Sequence, residues 1–462
     1  MSGPLDLSRR DLLRLGGATA LGGLLAACGG SGGDDRGSGG ANAEMQYMFW
    51  GSTGEQKAIQ EMLQGFQKKN GGGTIKPVFT PGDDFDTKLN ALLASNRAPD
   101  VSYLNTPMAY RIAAEGKLVD IAQYFDKYPQ LKERLPETFF WWDEEHTLGT
   151  QGAQEVMLLW HNKKAFKDAG IEPPPVEAAK AWNWDQFVAA ATRLTVDQSG
   201  RRPDQAGFDA KKIKRFGALA PLWSGAWYGL LLSAGVDFLD EAGTTTMINS
   251  GEAIKVFQNI MDLMYVHRVA PTPTQLGNNA PGLAVQLTSD RVAMSIDGQW
   301  ALLDIAQTRT DYGIGVLPSY GTPTTTSMGG PTAIFSSTKQ LDRALELYLY
   351  ESDPTASNLF ASGLWMPLEK KYYTDPAQIA LWTDNKAHPP EYKTAVIDYT
   401  LNHSKAYFYQ KTKNIEAVDK LLVPAVEQMQ TGKQPVAKVL NALAAKLNDG
   451  VLKGRFPTPS LS

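Results

Sequence analysis

The fold is predicted by residues 46–104, which read QYMFWGSTGEQKAIQEMLQGFQKKNGGGTIKPVFTPGDDFDTKLNALLASNRAPDVSYL. Short apolar runs at 46–50, at 75–79 and at 100–104 have the length of β-strands. In the two segments between these runs, the apolar residues recur every three or four positions, as on one face of a helix. Because strands alternate with helices, the pattern predicts a parallel sheet with crossover helices, and therefore an α/β fold.

The remainder of the chain shows the same alternation with longer helices. Residues 292–296 alternate between apolar and polar side chains, as in a strand. Helical periodicity occurs at 341–350, at 436–449 and at 415–430, where Pro424 is expected to kink or interrupt the helix. Since the sequence has no fixed-period repeat and no clean linker, we predict one large α/β body with two lobes.

The composition is that of an ordinary globular protein. Hydrophobic side chains make up 43% of the 462 residues, charged side chains make up 20%, and the formal net charge is −4 at pH 7. This charge argues against binding to nucleic acid, which needs clustered Lys and Arg. The single cysteine, Cys28, excludes intramolecular disulfides and zinc sites built on several thiolates. The chain has 11 Trp and 17 Tyr, and we expect many of them at surfaces or clefts.

The first 27 residues are predicted to be an export signal. Arg9 and Arg10 precede an uncharged stretch at 15–27. As a helix, that stretch would cover about 20 Å, which is too short for a hydrocarbon core of about 30 Å. The paired arginines resemble a twin-arginine signal, and ordinary secretion is the alternative.

The sequence LAAC at 25–28 resembles a bacterial lipobox. The resemblance implies that Cys28 is lipidated and becomes the mature N-terminus. The alternative is a cleavage site that precedes a cysteine by chance. Residues 28–44 are rich in Gly and Ser, which predicts a flexible tether. We therefore expect an extracytoplasmic lipoprotein that is anchored to a membrane through Cys28.

Four segments, in order, resemble the extracellular solute-binding protein family 1, the maltose-binding-protein-like receptors of bacterial ABC importers. They are a helix, Pro-Asp and strand at 85–105, a strand, Asn-Lys and helix at 156–175, an Ala-Met and Gly-x-Trp segment at 291–305, and a strand, Leu-Pro and Gly-Gly segment at 312–335. The resemblance implies a two-lobed periplasmic-binding-protein fold of type II, in which each lobe is a mostly parallel sheet flanked by helices.

The same resemblance implies three chain crossings at the base of a cleft between the lobes. Carried over by motif, these crossings lie near Gly152, Gly330 and Tyr373. The implied lobes are an N-lobe of 44–152 and 332–372 and a C-lobe of 153–331 and 373–456.

The family's function implies a substrate-binding protein that captures a carbohydrate in the cleft. Hinge closure would then deliver the ligand to the permease subunits of an ABC importer. The resemblance further implies a monomer without a cofactor, without a bound metal and without enzymatic activity.

A sugar site needs flat aromatic rings for the apolar face of the sugar and polar side chains for its hydroxyls. Trp300 lies where the family commonly has a stacking tryptophan, and lobe packing is the alternative. Asp297, three residues earlier, is also a candidate ligand contact. Trp50, at the end of the first predicted strand, and Ser52, which follows it, are candidate ligand contacts as well. The spacing of the remaining aromatic candidates is also compatible with a core; they are Trp223, Trp227 and Trp365.

Polar candidates follow the second and third predicted strands. Asp83 and Asp84 follow the second strand and Asn105 follows the third, and each is a candidate ligand contact or an Asx turn. Gly329 and Gly330 could offer backbone amides to a hydroxyl, or could permit a positive backbone dihedral at a crossing.

Other functions remain open at this point. The same fold could bind an amino acid, a peptide, a polyamine or ferric iron, and the pair Tyr372 and Tyr373 is the candidate for iron. An exported glycosidase is the alternative from a different class, because the acidic run at 143–145 lies beside two tryptophans at 141 and 142. An acidic run is more often a solvated surface.

Overall fold

The structure is a computed structural model that describes residues 44–71, 73–277 and 280–461. The predicted signal, Cys28 and the tether up to residue 43 lie outside these residues. In chain order, the described strands are β1 (Met45–Phe49), β2 (Ile75–Phe79), β3 (Val101–Tyr103), β4 (Phe139–Trp141), β5 (Thr147–Thr150), β6 (Glu155–Asn162), β7 (Val196–Asp197), β8 (Ile213–Leu219), β9 (Val292–Gly298), β10 (Tyr312–Gly315), β11 (Thr325–Met328), β12 (Thr332–Ile334) and β13 (Ser404–Ala406).

The described α-helices lie between Thr53 and Asn448. They are α1 (Thr53–Asn70), α2 (Gly82–Ala94), α3 (Thr106–Ala114), α4 (Lys163–Ala169), α5 (Trp184–Leu194), α6 (Ser224–Ser233), α7 (Gly251–Tyr265), α8 (Pro273–Leu276), α9 (Leu283–Thr288), α10 (Ala301–Ala306), α11 (Leu341–Glu351), α12 (Lys371–Thr374), α13 (Pro376–Thr383), α14 (Tyr399–His403), α15 (Phe408–Lys411), α16 (Ile415–Gln430) and α17 (Val436–Asn448). Within the described ranges, we find no helix with the length and apolar character needed to cross a membrane.

The smaller of the two main sheets contains the strands predicted from residues 46–104. Its strand order is β12-β3-β1-β2. β1 pairs in parallel with β2 and with β3, whereas β12 pairs antiparallel with β3. α1 buries Ile59, Met62, Leu63 and Phe66, the apolar face that predicted this helix. The βαβαβ prediction is therefore confirmed for this part of the chain.

The larger sheet has mixed strand directions. Its order is β13-β11-β6-β9-β8-β7, and β10 also pairs with β6. β8 and β9 are parallel, as are β11 and β13, but β6 runs antiparallel to β9, β10 and β11. The expectation of a mostly parallel sheet in each lobe is wrong here, because the central strand β6 is inserted between strands from later in the chain and opposes them.

In the part of the chain that the structure describes, three crossings connect the two main sheets. The chain passes from β3 to β6, from β11 to β12, and from β12 to β13. The first two crossings touch where Gly152 donates its N–H to the carbonyl of Gly330 at 3.0 Å. The third lies against the first, since Gln154 donates its N–H to the carbonyl of Met366 at 3.1 Å. Tyr373, the predicted third position, lies further along the chain in α12. The limits of the lobes stay a prediction.

Candidate functional site

A cavity of about 1490 Å³ lies beside the crossings, between elements of the two sheets. On the side of the smaller sheet, its wall comes from the loop after β1, from α2 and from the start of α3. On the other side, the wall comes from the end of β9, from α9 and α10, from the start of α6 and from α16. The carboxyl ends of β1 and β3 thus lead into the cavity, as expected for the loops of a parallel sheet.

Trp300 lies at the end of β9, immediately before α10. Its indole ring packs on the α-carbon of Gly298, where a Cβ atom would come within 2.0 Å of Cζ3 and 2.1 Å of Cη2. Trp300 is half-buried and lines the cavity. The absence of a side chain on Gly298 therefore lets the backbone support the ring on one side.

Trp223 lies directly before α6 and has a similar support. A Cβ atom on Gly225 would come within 1.9 Å of Cζ3 of Trp223. The ring centroids of Trp223 and Trp300 are 6.1 Å apart at an interplanar angle of 46°, and Trp223 is 40% exposed. The two indoles therefore form a tilted pair that lines the cavity.

Trp50 lines the cavity from the side of the smaller sheet. Its half-buried ring meets Phe85 at a centroid distance of 4.7 Å and Tyr103 at 5.3 Å, both nearly perpendicular. Edge-to-face packing of this kind fixes the orientation of an aromatic ring. A third indole is thus held in place across the cavity from the tilted pair.

Carboxyl groups from different elements converge on the same cavity. Glu55, in the first turn of α1, folds over Gly51, where a Cβ atom would come within 2.1 Å of Oε2. Burial raises the pKa of Glu55 to about 8, and the nearby carboxylate of Asp304 adds to the effect. Burial raises the pKa of Asp297 to about 6, and burial together with Glu55 raises the pKa of Glu155 well above its ordinary value.

Carboxylates outnumber cations among the described residues that line this cavity. The cations are Arg111 and Lys420, and both pair with Glu416, at 3.4 Å and 2.9 Å respectively. The acidic side chains are Glu55, Asp86, Glu155, Asp297, Asp304, Glu416 and Asp419. The raised pKa values of Glu55 and Glu155 keep these two neutral at pH 7, and the other five still outnumber the two cations. The cavity therefore carries an excess of negative charge.

Polar contacts also join the two walls. The Ser52 hydroxyl, after β1, donates to Oδ1 of Asp304 in α10 at 3.2 Å. Ser52 also caps α1, since its hydroxyl accepts a hydrogen bond from the N–H of Glu55 at 3.1 Å. On the wall beside the smaller sheet, the Asn105 side chain donates a hydrogen bond to Asp86 at 2.8 Å and does not cap α3. The alternative interpretation of Asn105 as an Asx turn is therefore not supported by a side-chain hydrogen bond to the start of α3.

Most of the residues predicted to contact a ligand line this cavity. They are Trp50, Ser52, Asn105, Trp223, Asp297, Trp300, Gly329 and Gly330. At the second crossing, a Cβ atom on Gly329 would come within 2.7 Å of the Ala153 carbonyl oxygen, and one on Gly330 would come within 2.6 Å of the Leu104 carbonyl oxygen. Both glycines are thus required by the close approach of the backbones, whether or not they also contact a ligand.

Among the remaining predicted residues, Trp227, Trp365 and Asp84 do not line the cavity. Trp227 is fully buried, and its indole N–H donates to the carbonyl of Leu222 at 3.1 Å. Trp365 is buried and packs against Tyr103. Asp84 is exposed in the first turn of α2, and Asp83 precedes it in the same turn. A ligand contact by any of these residues stays a prediction.

The residues behind the alternative functions also lie elsewhere. Tyr372 and Tyr373 are buried in α12, and the Tyr373 hydroxyl donates to the carbonyl of Pro367 at 2.5 Å. In the acidic run at 143–145, the Asp143 carboxylate forms a hydrogen bond with Nδ1 of His146 at 2.8 Å. Neither group lines the cavity.

Several cavity carboxyls were not predicted from the sequence. Glu55, Glu155 and Asp304 each lie close in sequence to a predicted feature: the end of β1, the first crossing and Trp300 respectively. Asp304 lies one helical turn after Trp300, a spacing that places both on one face. That spacing is the signal that could have identified it.

Comparisons with known proteins give consistent neighbours. The chain is 27% identical over 299 residues to the sn-glycerol-3-phosphate-binding periplasmic protein UgpB of Brucella abortus, a match that spans 61% of this chain and 63% of that relative. The aligned part is thus under two thirds of the relative's length.

Solved structures show the same fold at low sequence identity. The substrate-binding protein Lmo0181 of Listeria monocytogenes, solved with cycloalternan, superposes with a TM-score of 0.72 at 21% identity and covers 88% of this chain and 98% of its own. The maltose/maltodextrin-binding domain MalE of Bdellovibrio bacteriovorus, bound to maltotriose, gives a TM-score of 0.69 at 18% identity and covers 87% of this chain and 99% of its own. The predicted two-lobed fold is therefore confirmed.

A family model assigns the chain directly. The model of the bacterial extracellular solute-binding proteins matches residues 50–350, which is more than half of the chain. With the two-lobed fold and a cavity beside three crossings, this match shows that the protein is a member of the bacterial extracellular solute-binding protein family.

Proposed function

We propose that this protein captures an uncharged carbohydrate in the cavity and delivers it to the permease subunits of an ABC importer. One observation carries the proposal: the tilted pair of Trp223 and Trp300 shares the cavity with an excess of carboxylates. An indole face packs well against the aliphatic face of a sugar ring, and carboxylate oxygens accept hydrogen bonds from its hydroxyls.

The charge of the cavity supports a ligand without a phosphate. UgpB of Brucella abortus is named for sn-glycerol 3-phosphate, whereas the Listeria and Bdellovibrio structures hold saccharides. A phosphate is bound by unpaired Arg, Lys or backbone N–H groups, and like charges repel it. Here Arg111 and Lys420 already pair with Glu416. Of the two ligand classes, the carbohydrate therefore fits the lining better.

Closure of the lobes would couple binding to delivery. The predicted lobes are 44–152 with 332–372, and 153–331 with 373–456. The contact of Ser52 with Asp304 joins residues of the two lobes so defined. A ligand that contacts both walls favours the closed form by its higher affinity for that form. The permease would then recognise the closed, liganded protein, which acts as a monomer without a cofactor.

The location follows from the N-terminal sequence. An export signal of the twin-arginine type, followed by lipidation of Cys28, would place the folded body outside the cytoplasm on a membrane anchor. Residues 28–44 would serve as its tether. Replacing Cys28 by Ala is expected to move the protein from the membrane fraction to the soluble fraction. Retention in the membrane fraction would contradict the lipid anchor.

A titration of tryptophan fluorescence tests the ligand class. Mono-, di- and oligosaccharides are compared with sn-glycerol 3-phosphate, inorganic phosphate, amino acids and ferric citrate. A saturable response to one class of sugar, with none to the phosphates, is expected because cavity tryptophans sense the ligand. A response to sn-glycerol 3-phosphate without any response to sugars would overturn the proposal.

A further inference from the structure

A second cavity, of about 450 Å³, lies behind Trp223. Side chains from α6, α7, α8 and α16 and from the loop before α6 form its walls. Most of the lining is apolar and includes Leu222, Met264, Leu276 and Val426. Such a lining offers few hydrogen bonds to water and favours apolar groups.

The second cavity continues the first one. Trp223, Ser224 and Val423 line both cavities. Trp223 is 40% exposed and Val423 is 44% exposed, so the shared wall presents large apolar surfaces to the solvent. A ligand that stacks on Trp223 and Trp300 therefore has one end beside the opening of an apolar space.

We propose that the second cavity is a subsite for an apolar group attached to the sugar, such as an alkyl or acyl chain of about eight carbons. The inference rests on the proposed function, because the sugar part would occupy the main cavity. An octyl chain is small enough to enter this space of about 450 Å³, and its burial removes apolar surface of both partners from water. The ligand class is then an amphiphilic glycoside.

A brominated alcohol tests the subsite without any sugar. Bromine quenches nearby tryptophans, and Trp223 and Trp227 both line the second cavity. With the full chain, 8-bromooctan-1-ol is expected to give saturable quenching. Leu276→Asp places a charge in the apolar lining and should weaken this binding by about tenfold or more. Since half-buried Met264 also lines the cavity, Met264→Ser should act in the same direction.

The matched control is Val266→Asp. Val266 is an apolar side chain that is 64% exposed and lines neither cavity, so this variant should be quenched like the parent. Melting temperatures of all variants show that each is folded. Absence of saturable quenching in the parent, or equal quenching in the folded Leu276→Asp and Met264→Ser variants, would overturn the subsite.

Matched glycosides then connect the subsite to the main cavity. Methyl and n-octyl glucosides and maltosides are titrated below the concentrations at which they form micelles. The octyl form of the recognised sugar should bind at least about tenfold more tightly than the methyl form, because burial of two methylenes already corresponds to that ratio. Equal affinity would overturn the subsite and leave the carbohydrate function intact. If no saccharide or glycoside binds, the carbohydrate function fails, while the quenching by the bromoalcohol still decides the subsite.

Discussion

The indole ring of Trp300 lies on the α-carbon of Gly298, two residues earlier in the chain, with 2.0 Å between Cζ3 and the position that a Cβ atom would take. The ring of Trp223 lies in a similar way on Gly225, two residues later in the chain, with 1.9 Å between Cζ3 and the position of a Cβ atom. Each tryptophan thus depends on a neighbouring glycine for its orientation. Since the two rings line one cavity, the two glycines that position them belong to the proposed site as much as the tryptophans do.

Gly298→Ala is expected to displace the ring of Trp300 and to weaken sugar binding by about tenfold or more. The added methyl group would overlap the ring, and a half-buried side chain can swing into the cavity to avoid it. Isothermal titration with the recognised sugar measures the effect. Gly251→Ala is the control, because a Cβ atom there has no neighbour within 4 Å. Equal affinity of the Gly298→Ala variant and the parent would show that the ring orientation does not matter.

Trp300→Ala is expected to weaken sugar binding by at least about tenfold while changing the melting temperature by only a few degrees. The ring is half-buried, so its removal leaves no closed hole in a core. Trp142→Ala is the matched control, since Trp142 is also half-buried but stacks on His146 outside the cavity. Loss of binding in both variants, or in neither, would remove Trp300 from the site.

The sequence predicted the smaller sheet well because its information is local. The strand at Ile75–Phe79 and the helix at Ile415–Gln430 have the predicted limits, and the second of these continues across Pro424. The predicted strand directions in the larger sheet were wrong because β6 pairs with strands that are distant in sequence. Apolar periodicity carries no information on such pairing.

Site residues that follow a strand were predicted from the sequence, whereas those that lie on or beside a helix were predicted less well. Trp50 directly follows β1, Trp300 lies two residues after β9, and both line the cavity. Trp223 directly precedes α6, and Trp227 lies inside it. Because the residues of α6 are buried on nearly all sides, the spacing of these two tryptophans could not show which of them is exposed. Glu155 was missed because the sequence does not distinguish a buried carboxylate from the many exposed ones.

Glu351 is expected to make the protein less stable as the pH rises. Burial raises its pKa from 4.5 to about 7, and the Tyr47 hydroxyl donates to its carboxylate at 2.7 Å. The folded state therefore binds the proton more tightly than the unfolded state. The free energy of unfolding should fall as the pH rises from about 4.5 through 7, by about 3 kcal/mol from this group.

Glu351→Gln should remove that part of the pH dependence, because the amide stays neutral and its oxygen can still accept the bond from Tyr47. Urea unfolding at pH 5 and pH 8 measures the difference for each protein. Glu346→Gln is the control, since Glu346 lies exposed on the same helix. An unchanged pH dependence in Glu351→Gln would show that this carboxyl does not hold its proton in the folded state.

Asp304→Asn is expected to stabilise the protein at high pH relative to the parent. Burial and the Asp304 carboxylate raise the pKa of Glu55 from 4.5 to about 8, so the stability that the neutral form of Glu55 provides is lost as the pH rises through 8. Removing the negative charge of Asp304 lowers that pKa, and the loss between pH 5 and pH 9 becomes smaller. The amide oxygen of Asn can still accept the hydrogen bond from Ser52, so the contact between the walls is kept.

Chemical unfolding at both pH values measures the difference. Asp311→Asn, which changes an exposed aspartate outside the cavity, is the control and should behave like the parent. If Asp304→Asn loses as much stability as the parent over this range, the two carboxylates do not repel each other appreciably.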